Sequence, residues 1–596
     1  MRSCNFSRII GGIPSAMKRQ IVIHDAVTRK WLHFHNPRLI VAAYDSEEVV
    51  PALERVEAMV VERGLYAAGF IGYEASPAFD SALRVRPSSS FPLLWFGIYA
   101  APDITGLPYA PSDDPCLPAD WAPTVDRAAY KKAVVHIKEC IARGETYQVN
   151  YTFRLRTQFN ADEWPLFLHL VRAQQAEYGA YIDTGQFVVC SASPELFFRL
   201  HGRTLTARPM KGTAPRGLTL SEDNARAEWL YNSEKNRAEN VMIVDMVRND
   251  MGPIAFQGSV RVPRLFDVER YPTVWQMTST VSAESDASVC EIIRALFPCA
   301  SITGAPKPRT TGIIADLETT PRNIYTGCIG FIAPGRKAQF NVAIRTILVD
   351  RELAHAEYGV GGGIVWDSSS EEEYTECRVK ALVLQKTQTD FSLLETLLWT
   401  PDEKYFLLDY HLRRMRDSAE YFGIPVNIDL VLEKLAEFEN TFPQCPLKVR
   451  LLISRDGTIS RESMRLNDSA GEFPVRLRLA SMPVDSSNPF LYHKTTNREI
   501  YRSIGVAASD SEDTLLWNER GEITETTIAN IVVRLDGELV TPPVSSGLLP
   551  GTYRAWMIDR KKVKERVITV DDLKRCDAIS VINSVRKERE AVLAGV

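Results

Sequence analysis

Residues 195–380 hold carboxylates, a lysine and an arginine of the kinds that bind a metal ion and a small anion. Glu239 ends the stretch 233–239, and a second acidic run, 371–376, contains Glu373 and Glu376. Carboxylates brought together from distant segments suit Mg²⁺, a hard cation that prefers oxygen ligands. Solvated helix faces explain the same spacing, and the spacing alone favours that simpler explanation.

An arginine and a glycine-rich stretch add groups that could contact an anion. Arg345 follows an apolar strand pattern, where it would either clamp a carboxylate through two hydrogen bonds or form a structural salt bridge. The glycines of 359–363 allow close approach of the backbone to a ligand, and a tight turn is an equal alternative. The stretch 301–307 lacks the Gly-x4-Gly-Lys-Ser/Thr spacing of a phosphate loop, which argues against nucleotide binding.

A different set of residues follows position 390. Lys494 and Glu525 lie in separate polar stretches, and Gly551 begins a helical pattern whose first amides could bind a phosphate, with Arg414 as its cation. A lysine for a Schiff base, an acid for a pyridinium nitrogen and anchors for a phosphate together suit pyridoxal phosphate. Taken singly, Lys494 and Glu525 are compatible with surface charges and Gly551 with a helix cap.

Composition places these residues in a large globular chain. It has 596 residues, 45% hydrophobic and 24% charged, with a formal net charge of −5, and its length predicts more than one domain. The negative charge argues against nucleic acid as the main partner, because phosphate backbones need a basic face. No run of about 18 apolar residues occurs, so no membrane span is expected. Ten cysteines without a Cys-x-x-Cys pair fit a reduced cytoplasm, and residues 1–16 are expected to be an extension.

Two breaks divide the chain into patterned regions. Six prolines in 101–124 indicate a loop, and the polar stretch 385–390 separates two halves. The predicted layout is 1–120 as the first part of an N-terminal domain, 121–385 as its catalytic part, 386–390 as a linker and 391–596 as a second domain. Apolar alternation predicts strands at 187–190, 260–262 and 338–344, and an amphipathic pattern predicts a helix at 409–422. Both halves are therefore predicted to be α+β.

Residues 60–385 resemble the chorismate-utilising enzymes, the family of anthranilate, aminodeoxychorismate and isochorismate synthases. The motifs that carry the resemblance, in family order, are Ser193-Pro194-Glu195, Arg208-Pro-Met-Lys-Gly-Thr213, Lys235-x-Arg237-Ala238-Glu239, Asp245-x-x-Arg248-Asn249-Asp250, Gly258-Ser259-Val260, the stretch 301–307, Tyr325-Thr326-Gly327, Ile344-Arg345-Thr346 and Glu373-Tyr374-Thr375-Glu376. The resemblance implies a β-sandwich with helices that binds chorismate.

The same resemblance implies roles for individual residues. Glu239 and Glu376, with Glu373 beside them, would bind Mg²⁺, and the metal would hold the ring carboxylate of chorismate. Arg345 and Tyr325 would hold the enolpyruvyl carboxylate. The residues implied to line the site are Gln148, Gly212, Thr213, Ser301, Gly361, Gly362 and Gly363. Glu195 would be the general acid at the departing C4 hydroxyl, and such a carboxyl needs a raised pKa.

Two positions distinguish members of this family, and a third departs from the family pattern. Gln148 stands where water-activating members have a lysine base, and since an amide cannot deprotonate water, ammonia becomes the expected nucleophile. Lys211 stands where anthranilate synthases carry a small residue and aminodeoxychorismate synthases carry lysine. Its deprotonated amine would attack ring C2 and expel the C4 hydroxyl, after which ammonia would attack C4 and displace the lysine; a substrate-orienting cation is the alternative. Gln276 replaces the usual histidine, which leaves a hydrogen-bonding role but not proton transfer.

Residues 391–596 resemble the fold-type IV pyridoxal phosphate enzymes, which have two subdomains. That family includes D-amino acid and branched-chain aminotransferases and 4-amino-4-deoxychorismate lyases. Beyond Lys494 and Glu525, the resemblance rests on the stretches 391–396 and 583–586. It implies Lys494 as the catalytic residue, Thr396 as a hydroxyl for proton transfer and Arg586 as a substrate contact. The residues implied to bind the cofactor are Arg414, Lys494, Glu525, Thr552, Tyr553 and Ser584.

Together the two resemblances imply a bifunctional enzyme of 4-aminobenzoate synthesis. The first half would aminate chorismate at C4, and the second would eliminate pyruvate from that product. No glutamine amidotransferase signature is evident, so ammonia is expected from a separate amidotransferase subunit or from solution, and a homodimer through the C-terminal half is expected. The alternatives are an anthranilate or aminodeoxychorismate synthase fused to a D-amino acid or branched-chain aminotransferase, and a catalytically dead scaffold.

Overall fold

The computed structural model describes residues 19–88, 90–106, 118, 120–384, 391–466, 474–504 and 513–594. The chain forms two compact units: the first runs to Pro215 and resumes at Ala227, and the second comprises Arg216–Arg226 and the residues from Thr389. The division near 388 falls inside the predicted linker 386–390, which lies outside the described residues. The proline-rich break at 101–124 is described only in part.

Twenty strands and nine helices make up the described part of residues 19–384. The strands are β1 (Ile21–Asp25), β2 (Lys30–Phe34), β3 (Leu39–Ala43), β4 (Tyr66–Ile71), β5 (Leu94–Tyr99), β6 (Asp103–Thr105), β7 (Ala122–Pro123), β8 (Gln148–Gln158), β9 (Tyr178–Asp183), β10 (Phe187–Ser193), β11 (Leu196–His201), β12 (Thr204–Arg208), β13 (Met210–Pro215), β14 (Arg261–Arg270), β15 (Val274–Glu284), β16 (Gly304–Ala305), β17 (Cys328–Ala333), β18 (Lys337–Val342), β19 (Thr346–Asp350) and β20 (His355–Ile364). The helices are α1 (Ser46–Arg63), α2 (Ser76–Phe79), α3 (Arg127–Ala142), α4 (Glu163–Gln174), α5 (Leu220–Asn232), α6 (Glu234–Met251), α7 (Val289–Leu296), α8 (Lys307–Leu317) and α9 (Ser370–Ala381).

Two ten-stranded sheets pack face to face in the first unit. One has the order β16-β8-β20-β19-β10-β9-β1-β2-β6, with β7 beside β8, and the other has the order β13-β15-β12-β11-β18-β17-β4-β5-β3, with β14 beside β15. Ile21 and Phe34 of the first sheet share one apolar core with Phe70, Trp95 and Ile329 of the second. Helices cover the outer faces, because separate cores join α3 and α4 to the first sheet and α1 and α7 to the second. The predicted β-sandwich with helices is confirmed.

Local sequence accounts for several element boundaries. Helix α1 begins with a capping box between Asp45 and Glu48 and ends at Gly64, whose φ of 64° lies in the left-handed region that favours glycine. The strands predicted at 187–190 and 338–344 are confirmed as β10 and β18, with small boundary shifts. The glycine-rich stretch 359–363 is a strand, not a tight turn, because it pairs residue by residue with β8. None of the described helices combines the length and apolar character needed to cross a membrane.

The second unit contains two smaller sheets. Its strands are β21 (Leu393–Thr400), β22 (Lys404–Tyr405), β23 (Leu447–Ile453), β24 (Ile459–Arg465), β25 (Val475–Leu479), β26 (Asp513–Trp517), β27 (Ile523–Thr526), β28 (Asn530–Leu535), β29 (Glu538–Thr541), β30 (Lys564–Glu565), β31 (Ala578–Asn583) and β32 (Lys587–Leu593), and its helices from residue 389 onward are α10 (Leu408–Phe422), α11 (Ile428–Glu439), α12 (Glu499–Ile504) and α13 (Thr552–Asp559). The four-stranded sheet has the order β22-β21-β23-β24, and the eight-stranded sheet has the order β27-β26-β25-β32-β31-β28-β29-β30.

Helices α10 and α11 pack on the four-stranded sheet through one apolar core. The helix predicted at 409–422 is confirmed as α10, whose Met415 and Ala419 are buried in that core. A second apolar core is formed mainly by side chains of the eight-stranded sheet. This unit is therefore α+β with two subdomains, as the sequence predicted.

Candidate active sites

A cavity of about 700 Å³ in the first unit gathers most of the residues predicted there. Strands β13 and β20 and helices α6 and α9 supply much of its lining. The predicted residues that line it are Glu195, Lys211, Gly212, Thr213, Glu239, Ser301, Tyr325, Arg345, Gly361, Gly362, Gly363, Glu373 and Glu376. Residues between positions 195 and 376 thus meet at one site, on strands, helices and loops of the same unit.

Lys211 reaches into this cavity from an irregular part of β13. The pairing of β13 with β15 shifts register between Met210 and Thr213, and Gly212 has a φ of 103°, so a bulge there aims the lysine inward. The Lys211 Nζ lies 3.6 Å from Glu239 Oε2. It also lies against the bare backbone of β20, since a Cβ on Gly363 would be 2.4 Å from Nζ. A glycine at 363 is what allows the amine to sit here.

Two glutamine side chains lie close to Lys211. Gln276 holds the bulge, because its Nε2 donates to the carbonyl of Gly212 at 2.8 Å and its Oε1 accepts from the Thr213 hydroxyl at 3.1 Å. Gln148 does not line the cavity but is fully buried behind Gly363, whose Cβ would come 2.8 Å from Gln148 Nε2. Neither amide atom of Gln148 has a hydrogen-bond partner among the described residues.

Glu195 is a buried carboxyl on the cavity wall. The Ser301 hydroxyl donates to Glu195 Oε1 at 2.6 Å, and the side chain is almost inaccessible to solvent. Burial raises the pKa of Glu195 to about 7, although the Ser301 hydrogen bond and the charge of Lys211 act in the opposite direction. A carboxyl with this pKa is partly protonated at neutral pH, as a general acid must be.

The three carboxylates predicted to bind Mg²⁺ face the cavity without forming a compact group. Glu373 and Glu376 lie one turn apart on α9, and Glu239 faces the cavity from α6. No set of three His, Cys, Asp or Glu residues in the described part of the chain lies close enough to hold a metal ion. The donors are nevertheless all oxygens, as Mg²⁺ requires. Burial raises the pKa of Glu373, helped by the neighbouring charge of Glu376.

Lys380 belongs to this cavity although the sequence reasoning missed it. Its Nζ lies 2.7 Å from Glu376 Oε1 and donates to the carbonyl of Gly361 at 3.0 Å. The positive charge of Lys380 lowers the pKa of Glu376. Its own carbonyl accepts a hydrogen bond from the guanidinium of Arg345. The available signal was its position four residues after Glu376 on one helix, which puts both side chains on the same face.

Tyr325 is held from behind by a buried ionic network. Its ring packs against Gly359, where a Cβ would come 2.2 Å from the ring. The guanidinium carbon of Arg154 lies 4.9 Å from the ring centroid. Arg154 is fully buried and pairs with Glu318 and Glu357. Arg154, which does not line the cavity, therefore helps to set the position of Tyr325.

A second cavity, of about 450 Å³, lies in the second unit. The predicted residues that line it are Thr396, Arg414, Lys494, Glu525, Thr552, Ser584 and Arg586. Tyr553 differs from the expectation and does not line the cavity. Its ring stacks on Trp556 at 5.2 Å, in an apolar cluster with Val532 and Met557.

Lys494 and the buried Glu525 both line the second cavity, and the pKa values of both groups are shifted. Burial lowers the pKa of Lys494 to about 8, and the charge of Arg414 acts in the same direction. Burial raises the pKa of Glu525 to about 7. Tyr501 donates to Glu525 Oε1 at 2.8 Å and Asn530 donates to Oε2 at 3.1 Å. An amine that readily loses its proton and a fixed carboxyl fit the two reactive ends of pyridoxal phosphate.

The predicted phosphate anchors are joined by a network that the sequence did not reveal. Glu395 accepts two hydrogen bonds from Arg414, at 3.0 and 2.6 Å, and one from His411 Nδ1 at 2.6 Å. His411 Nε2 lies 3.3 Å from the hydroxyl of Thr552, the first residue of α13. Burial opposes the charge on Glu395, but Arg414 and His411 outweigh it and hold its pKa at about 2. One carboxylate thus fixes both the arginine and the helix start.

Comparison with known proteins assigns both halves of the chain to families. The family model for chorismate binding enzyme matches residues 18–386, and the model for amino-transferase class IV matches residues 392–592. Aminodeoxychorismate synthase component 1 of Escherichia coli (strain K12) is 39% identical over 270 residues, which cover 45% of this chain and 59% of that protein. The protein of the same name in Bacillus subtilis (strain 168) is 38% identical over 287 residues, covering 48% and 61%.

The chain thus spans about three fifths of the length of these relatives. Among solved structures, anthranilate synthase component I from Streptococcus pneumoniae TIGR4 superposes with a TM-score of 0.52, covering 65% of this chain and 95% of that one. At 22% identity, that match supports the fold alone. Because the first family model covers more than half of the sequence, the chain belongs to the chorismate binding enzyme family, and an aminotransferase class IV domain follows its chorismate-binding domain.

Proposed function

We propose that the protein makes 4-aminobenzoate from chorismate in two steps, one in each unit. The first unit would replace the C4 hydroxyl of chorismate by an amino group, as the names of its relatives suggest. The second would remove pyruvate from 4-amino-4-deoxychorismate. The observation that carries the proposal is the position of the Lys211 amine in the first cavity, against Gly363 and within reach of Glu239.

In the first step, the Lys211 amine would form a bond to ring C2 while the bond from C4 to its hydroxyl breaks. Glu195 would give its proton to that hydroxyl, which leaves as water. Ammonia would then attack C4 and expel the lysine from C2. The raised pKa of Glu195 supports its role as the proton donor, because a carboxyl ionised throughout the neutral range could not donate a proton.

Three carboxylates, a bound Mg²⁺ and two cationic side chains would orient the substrate in this cavity. Glu239, Glu373 and Glu376 would hold Mg²⁺, which would supply charge for one substrate carboxylate. Arg345 and Lys380 would contact the other, since both line the cavity. Ammonia would be delivered by a separate glutamine amidotransferase subunit, since the relatives are named as component 1 of their enzymes.

In the second step, Lys494 would remove the proton from the ring carbon that bears the amine and return a proton to the leaving enolpyruvyl group. Bound pyridoxal phosphate would supply an electron sink for the negative charge that develops. Glu525 would face the ring nitrogen of this cofactor, and Arg414, Thr552 and Ser584 would hold its phosphate. The lowered pKa of Lys494 supports the assignment, because a base must lose its proton near neutral pH.

Trapping on Lys211 tests the first step directly. The protein is mixed with chorismate and Mg²⁺ in the absence of ammonia, quenched and analysed by peptide mass spectrometry. We expect an adduct on the peptide containing Lys211 with the mass of chorismate less one water. Lys235→Ala, which changes a lysine on the same cavity wall, should keep the adduct and Lys211→Ala should lose it. An adduct that persists in Lys211→Ala contradicts the proposal.

A further inference from the structure

The cavity of the second unit carries far more positive than negative charge. Seven lysine and arginine side chains line it, against a single carboxyl among the described residues, that of Glu525. The proposed cofactor accounts for Arg414 and Lys494. Five further cations line the cavity, and among them only Arg586 has an expected function, as a substrate contact: Lys448, Arg450, Arg465, Arg498 and Arg586. Cations gathered in a partly buried cavity repel one another, so an anionic ligand would stabilise them.

Only one of these five side chains, that of Arg450, forms an ion pair within the described part of the chain. Arg450 is paired with Glu462 at 2.5 Å. Arg498 lies over the ring of Tyr501 at 4.3 Å and donates to the carbonyl of Thr527. Lys448, Arg465 and Arg586, in contrast, make no ion pair or side-chain hydrogen bond with any described residue, and of these Arg586 lies near enough to Lys448 to act on its charge. Burial lowers the pKa of Lys448, and Arg450, Arg586 and Arg498 add to the effect, so its charged neighbours are all cations.

Strand register places Lys448 on the same sheet face as Thr396. In the pairing of β21 with β23, Thr396 lies opposite Arg450 and Leu398 lies opposite Lys448. Residues two apart on a strand point to the same face and are separated by about 7 Å. The backbone of Lys448 therefore lies about 7–8 Å diagonally from that of Thr396, and both side chains point to the same face of the sheet. A substrate that reacts beside Thr396 would carry a second group to Lys448.

We propose that Lys448 and Arg586 form a carboxylate subsite that selects amino substrates with two carboxylates over those with one. This inference rests on the proposed function of the second unit and names its specificity residues. A simple amino acid has one carboxylate and would leave these cations without a partner. An aminated cyclohexadiene that carries a ring carboxylate and an enolpyruvyl carboxylate supplies both charges.

Calorimetric titration of the pyridoxal phosphate-loaded protein tests the subsite with two matched probes. The dicarboxylate is 3-(carboxymethoxy)benzoate, and the monocarboxylate is 3-ethoxybenzoate, which lacks the ether carboxylate. Since a charge-assisted hydrogen bond contributes at least a factor of about 10 in affinity, we expect the wild-type protein to prefer the dicarboxylate about tenfold or more. Lys448→Met and Arg586→Met should each remove most of this preference and leave monocarboxylate affinity nearly unchanged.

Lys574→Met is the matched control, because Lys574 pairs with Asp571 and does not line the cavity. It should retain the preference, and an equal loss in this variant would mean that overall charge, not a subsite, causes the effect. A preference that survives both Lys448→Met and Arg586→Met also overturns the inference. Arg586 lies in an exposed turn, so Arg586→Met should fold even if Lys448→Met does not.

The test of the carboxylate subsite can fail independently of the test of the proposed lyase reaction. Failure to release pyruvate from 4-amino-4-deoxychorismate would refute the lyase reaction but leave a Lys448-dependent dicarboxylate preference intact. Normal pyruvate release by Lys448→Met and Arg586→Met, with unchanged KM, would refute the subsite and leave the lyase reaction standing.

Discussion

Gly363→Ala should disable the first active site without removing any of its functional groups. The added methyl carbon would lie 2.4 Å from Lys211 Nζ and 2.8 Å from Gln148 Nε2, whereas ordinary contacts are 3.4–4 Å. Gln148 is fully buried, so the lysine must yield, by about 1 Å. A misplacement of that size can reduce a rate by about 100-fold, or about 2.7 kcal/mol in the activation barrier. We therefore expect kcat for chorismate amination with ammonium to fall by about two orders of magnitude.

Formation of 4-amino-4-deoxychorismate, coupled to an added lyase, measures this effect. Gly312→Ala is the control, because its nearest neighbouring atoms are 3.9 Å away, and it should behave as wild type. The double variant Gly363→Ala/Lys211→Ala should be no slower than Lys211→Ala alone, since both changes act on one amine. A Gly363→Ala protein that melts normally and retains more than half of the wild-type rate would refute the reasoning.

Further predictions address three other groups, Glu195, Glu395 and Lys494. Amination by the wild-type enzyme should decline as pH rises through about 7, where Glu195 loses its proton. The Glu195→Gln variant should be slower by about 100-fold or more, and its pH–rate profile should lack this decline. Because its pKa is raised on folding, ionised Glu195 destabilises the fold above that value, so Glu195→Gln should raise the melting temperature at pH 8 but not at pH 4. Glu395→Gln should release Arg414 and weaken pyridoxal phosphate binding at least tenfold in an absorbance titration, with lyase activity partly restored by excess cofactor. Lys494→Ala should accumulate 4-amino-4-deoxychorismate, as detected by chromatography.

Local patterns predicted the elements better than their contacts. Apolar alternation identified β10 and β18, and amphipathic spacing identified α10, because each of these elements buries one or both faces. The glycine-rich stretch of β20 was ambiguous, since glycine suits both turns and crowded strands. Its strand form follows from packing, as Cβ atoms there would meet Tyr325, Glu373 or Lys211.

Family motifs predicted most of the lining of both cavities, but not the residues that position that lining. Glu395 and His411 act through partners that the fold supplies, whereas the spacing of four residues from Glu376 was the one local signal for Lys380. The burial of Gln148 behind Gly363 likewise depends on the pairing of β8 with β20. Tyr553 was expected to bind the cofactor because its motif indicated the start of a helix. Its side chain packs instead in an apolar cluster.

The most direct test of the account is the product formed from chorismate, ammonium and Mg²⁺ by the intact protein, with and without pyridoxal phosphate. With the cofactor we predict 4-aminobenzoate and pyruvate in equal amounts, and with Lys494→Ala we predict 4-amino-4-deoxychorismate instead. Accumulation of anthranilate would contradict the account, because it would mean that ammonia attacks C2 and that Lys211 does not direct amination to C4.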